Sequence, residues 1–168
     1  MQLGITQEKL KAVGVETMAV VNTQLERARL YFKYRPARVL LAADPEAATH
    51  RLFGVPEGAV VEDESQASWS RGTFTMGQLQ GSLVNPTGEL PAPQNVFAAN
   101  ETLNQRDGFE LTEVDQQIAA THGLQLGGHF LIDREGIIRW QQIEAGERIG
   151  DLAKFPSDEE ILRAARSL

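Results

Sequence analysis

Apolar positions come in short bursts along the first third of the chain, and their spacing switches between two periods. In "TQEKLKAVGV" (6–15), Leu10 and Val13 share one helical face and Gly14 is a natural stop. "VETMAVVN" (15–22) is short, apolar and rich in valine, which predicts a strand buried on both faces. In "NTQLERARLYFKYR" (22–35), Thr23 and Glu26 have capping-box spacing, and Leu25, Ala28 and Phe32 form a helical stripe. "RVLLA" (38–42) reads as a second strand. "DPEAATHRLFGV" (44–55) then reads as a helix with Pro45 in its first turn and Gly54 at its end. Strand, helix, strand, helix is the rhythm of a parallel or mixed α/β sheet.

From 57 to 108 the pattern breaks up. Gly, Pro, Asn and Gln recur, as in "GQLQGSLVNPTGELPAPQN" (77–95), with "SWSRGTFTM" and "NVFAANETL" as candidates for short strand or helix. Long irregular stretches inside compact domains are uncommon and usually functional. The segment 57–108 therefore reads as a loop-rich insertion within a single domain spanning 1–168. Regular spacing returns at "LTEVDQQIAATHG" (111–123), where Thr112 and Asp115 have N-cap spacing. "FLID" and "GIIRW" follow as strands, with Asp133-Arg134-Glu135-Gly136 as turn residues. Alternation points Phe130 and Ile132 to one side and Leu131 to the other, and Ile132 is expected in a dense core. The closing "PSDEEILRAARSL" is a helix boxed by Ser157 and Glu160, with Ile161, Leu162 and Ala165 toward the sheet.

Composition narrows the function classes. With 168 residues and 42% hydrophobic content, one sizeable core is affordable. The net charge of -7, from 16 Lys and Arg against 23 Asp and Glu, argues against a nucleic-acid partner and against anionic membranes. No apolar run approaches the roughly 18 residues of a membrane span. "MQLGITQEKLK" lacks the basic start and apolar block of a secretory signal, so a cytoplasmic location is expected. There is no cysteine, hence no disulfide, no thiolate metal site and no sulfur nucleophile.

Stretches along nearly the whole chain, in the family's order, resemble the redoxins of the alkyl hydroperoxide reductase/thiol-specific antioxidant (peroxiredoxin-like) family. "GVETMAVVNTQLERARLYFKYR" is similar to the strand and capped helix, ending in a Lys-Tyr pair, that follow that family's active-site helix. "LLAADPEAATHRLFGV" resembles its aspartate-proline segment and short helix, and "FLIDREGIIRW" its hairpin. "NPTGELPAP" and "RDGFELTEVDQQI" resemble a subgroup with an insertion before that hairpin. The similarity runs from about Leu10 to Leu168. It implies an α/β, thioredoxin-like three-layer sandwich, N-terminally truncated, with a long insertion before the C-terminal β-hairpin.

The departures from the family bear on chemistry. A complete member carries a strand and a cysteine-bearing turn ahead of the helix that ends here near Gly14, and this chain has neither. Peroxide or disulfide chemistry of that kind needs a thiolate. Where the family has a cis-proline or an arginine before "FLID", this chain has Gly127 and Gly128, which would leave a slack loop. Gly127, Gly128 and His129 are thus the expected remnant of a redox-site loop, with no catalytic, cofactor-binding or metal residue assigned. The absent strand lies centrally in such sheets, so its loss would expose a hydrogen-bonding edge at 18–21. Three arrangements answer this: the sheet closes up, a second copy supplies the edge as a homodimer, or the chain is part of a longer product. The expected function is a redoxin-family domain without its own thiol, non-catalytic in this form, serving interaction or structure. The alternative is an antioxidant thiol peroxidase or disulfide oxidoreductase whose cysteine segment lies outside this chain.

Other candidate chemistry is thin. His122 and His129 fit neither one helix face nor one strand face, and with His50 they read as ordinary histidines. Ser65, Ser68 and Ser70 lack a nucleophile elbow, and Glu62-Asp63-Glu64 reads as a solvated face. No cofactor is expected.

Overall fold

The computed structural model describes residues 2–34, 36, 38–85, 88–147 and 151–168. In chain order the elements are α1 (Gln2–Lys11), β1 (Met18–Val21), α2 (Leu25–Tyr34), β2 (Leu40–Ala43), α3 (Ala48–Leu52), β3 (Glu57–Val61), β4 (Thr73–Thr75), α4 (Met76–Gly81) and β5 (Leu83–Val84). Then follow β6 (Gln94–Asn95), α5 (Val96–Asp107), α6 (Glu113–His122), β7 (Leu124–Gln125), β8 (Gly128–Ile132), β9 (Ile138–Ile143) and α7 (Asp158–Ala165). Among the described residues the fold is mixed α/β, with seven α-helices and four small sheets. The chain forms two compact units, one from 1–53, 129–142 and 156–168, the other from 54–128 and 143–155.

The first unit is built from local signals that are plain in the sequence. Helix α1 ends in a Schellman motif: the Gly14 N–H donates to the Lys11 carbonyl and the Val15 N–H to that of Leu10, both at 3.0 Å, with Gly14 at φ 83°. Leu10 is thereby turned inward, where it clusters with Leu131, Ile161 and Ala165 and is flanked by Val13, Val15 and Trp140. Ser157 and Glu160 close the α7 capping box, which directs the Ile161 face into this cluster. The Thr6 hydroxyl donates to Asp158 at 2.6 Å and Lys9 pairs with the same carboxylate, fastening α1 to the start of α7.

β1 and β2 pair in parallel, Met18 opposite Leu40 and Val21 opposite Ala43, with α2 as the crossover. β8 and β9 form a separate hairpin. The two pairs are not hydrogen-bonded to each other among the described residues.

Several local expectations change. β1 is not buried on both faces, since Met18 is 60% exposed. The Thr23–Glu26 box does not form. The Thr23 hydroxyl is buried without a partner, because its N–H turns back to the Val21 carbonyl at 2.9 Å and Gln24 accepts the first bond of α2. Helix α3 starts after Pro45, at Ala48, where the Asp44 carboxylate accepts the Thr49 N–H at 2.6 Å. In β8 the alternation holds but the inward set is Leu131, at 4% exposure. Ile132 is 45% exposed, while Phe130 on the same side is half-buried against the Phe53 ring, 4.8 Å between centroids.

The second unit holds the segment 57–108, expected as loop-rich, which instead carries short strands, the short helix α4 and the twelve-residue helix α5. β3 is central, parallel to β4 and antiparallel to β7. Thr75 and Gln78 make a capping box on α4, and the Asn95 carboxamide caps α5 through the N–H groups of Phe97 and Ala98. The Asn85 side chain exchanges two 3.1 Å hydrogen bonds with the main chain of Leu90, closing the loop between β5 and β6. This buries Leu90 with Val84 and Ala99. Phe74 and Leu79 are fully enclosed. No described helix is long and apolar enough to cross a membrane.

Candidate functional site

The expected redox-loop remnant is built around a group that spacing did not single out. Gly127 and Glu144 exchange two main-chain-directed bonds within the second unit. The Gly127 N–H donates to Glu144 Oε2 at 2.8 Å, and the Glu144 N–H donates to the Gly127 carbonyl at 2.8 Å. The other carboxylate oxygen, Oε1, accepts the N–H of Ala153. Leu126, Ala145 and Leu152, next to the three residues in the chain, are all buried. Gly127 is therefore clamped, not slack, and its φ is an ordinary one.

Two opposing effects act on the Glu144 carboxyl. Burial raises its pKa above the ordinary value, while the amide donors of Gly127 and Ala153 lower it, and burial wins. With one N–H on each oxygen, the group is committed to holding Ala153 and Gly127 to one carboxylate. Ala145 and Ala153 both stand in the left-handed region, at φ 51° and 57°. Such backbone persists in a non-glycine residue only where surrounding bonds hold it, and the clamp supplies them.

Gly128 opens β8 and is exposed; His129, the next residue of that strand, is half-buried. Its imidazole is shifted down by burial, toward the neutral form. Among the described residues no group of three or more His, Cys, Asp or Glu is placed to hold a metal ion. The side chain of His122 lies outside the described residues.

No family model, curated protein or solved structure matches the chain.

Glu144 had no usable signal in the sequence. It follows the end of β9 within "QQIEAGER", its partners stand 17 and 9 positions away, and no local period connects them.

Proposed function

We propose that this chain is a thioredoxin-like domain of the redoxin type that carries no thiol chemistry of its own and works by binding. The observation that carries the reading is the split of the first unit into two strand pairs, β1–β2 and β8–β9, unjoined among the described residues. A redoxin-like sheet lacking its central, cysteine-bearing strand would leave these two remnants. The flanking order also supports it: a parallel β1–α2–β2 crossover, a hairpin, then a closing helix packed through Ile161 against Leu10 and Leu131. The redox-loop position supports a non-catalytic role as well, since Gly127 is spent on the Glu144 clamp. A second copy is the proposed partner at the open edge of β1, because the strand "MAVV" has no charge to oppose its own symmetric pairing.

Hydrogen peroxide consumption by this chain, coupled to dithiothreitol or to thioredoxin with its reductase, tests the reading. No turnover above the uncatalysed rate is expected. Turnover that persists after repurification would replace it with an enzyme.

A further inference from the structure

We infer that the outward face of α2 docks an acidic, leucine-bearing segment of a partner protein. The inference deepens the binding role proposed above and rests on it. Charge is segregated in this chain: residues 25–38 contain Arg27, Arg29, Lys33, Arg35 and Arg38 against the single acid Glu26, although the whole chain carries -7. Helix α2 turns Ala28 inward, at 6% exposure, and so presents Arg29 and Lys33 one turn apart toward solvent. Beside them Leu30 and Tyr34, also one turn apart, are 40% and 47% exposed. Arg38, just beyond the helix, pairs with Glu8 at 3.5 Å with both side chains mostly in water, so that pair is weak and exchangeable.

Cations at i and i+4 match carboxylates one helical turn apart on a partner, and the adjoining leucine and tyrosine offer an apolar margin for its aliphatic side chains. The chain's overall negative charge disfavours the two other polyanions. A nucleic acid needs a longer basic footprint, and an anionic bilayer, being an extended surface, would face the net charge of -7 as well as the α2 cations. A short acidic segment meets only the local positive field, because charges beyond about 8 Å are screened at physiological salt.

The test is fluorescence anisotropy of the full chain with a labelled peptide that has glutamates one turn apart and leucines between them. Saturable binding that weakens with added salt is expected. Arg29→Glu combined with Lys33→Glu should weaken it by at least about tenfold, and Leu30→Ser by a few-fold. Arg134→Glu, the same kind of charge change at an exposed position of the hairpin turn and outside the proposed surface, should leave it within about twofold. Circular dichroism melts check folding, and if the double reversal lowers the melting temperature, the single changes Arg29→Gln and Lys33→Gln carry the comparison. Absence of saturable binding, equal binding by the α2 variants, or tighter binding to phosphatidylserine vesicles or single-stranded DNA than to the peptide would overturn the inference. Such failure without peroxide turnover removes the docking surface alone, whereas turnover removes the non-catalytic reading.

Discussion

Glu144 and Gly127 hydrogen-bond to each other twice, carboxylate to N–H and N–H to carbonyl, each at 2.8 Å. The pairing joins the two segments of the second unit, 54–128 and 143–155, near the ends at which the chain leaves and re-enters it. Replacing Glu144 with Ala orphans the N–H groups of Gly127 and Ala153 in a buried setting. A loss of about 1–3 kcal/mol is expected, read from urea denaturation. Unchanged stability would mean that water takes over both donors.

Glu144 also sets a pH dependence whose sign is opposite to that of most carboxylates. Burial raises its folded pKa above the ordinary 4.5, so the folded chain keeps the proton to higher pH than the unfolded chain does. Its contribution is fully present below 4.5 and is lost as pH rises through the raised value. Glu144→Gln cannot titrate. The stability of the wild type relative to Glu144→Gln should therefore decline as pH rises across that window. A rising difference would contradict the burial.

Asp158 behaves the other way. Hydrogen bonds from Lys9, then Thr6, hold its carboxyl below the ordinary 3.8, so its contribution is present above 3.8 and lost as pH falls through the folded value. Asp158→Ala should cost about 1–2 kcal/mol at neutral pH, since it removes both bonds between α1 and α7. The gap from the wild type should close in acid, which a pH series of thermal melts would register.

Neighbouring positions on β8 should respond unequally to truncation. Leu131→Ala opens the Leu10–Ile161 cluster and should cost about 2–5 kcal/mol. Ile132→Ala, at a position 45% exposed, should stay within about 1 kcal/mol. Equal losses would show that the Ile132 face is covered in solution.

Glycines separate in the same way. A Cβ at Gly58 would collide with the Leu124 carbonyl and stand 2.7 Å from the Leu124 Cβ, so Gly58→Ala should break the β3–β7 pairing at about 1–3 kcal/mol or more. At Gly81 nothing lies within 4 Å and φ is negative, so Gly81→Ala should be neutral or stabilising by up to about 1 kcal/mol. Matched melting temperatures for the two variants would disprove the close approach.

Sedimentation velocity checks the β1 edge. A dimer that dissociates on dilution is expected, and Val20→Lys, by placing a charge on the strand, should shift it to monomer. A sharp monomer at every concentration would remove the second copy.

The elements whose evidence is local were legible in the sequence. Gly14 stops α1, Ser157 and Glu160 box α7, Thr112 and Asp115 bond at the start of α6, and the Asp133–Gly136 turn joins β8 to β9. Each depends on residues within about five positions, where side chain and backbone meet whatever the rest of the chain does. Tertiary structure decided the rest. It chose Leu131 over Ile132 as the buried side of β8, because alternation sets which residues share a face but not which face is covered. It set β3 between β4 and β7, the latter more than 60 positions away in sequence. It also buried Glu144, an ordinary surface type by composition, since only the return of 143–155 could bring the amides of Gly127 and Ala153 to one carboxylate.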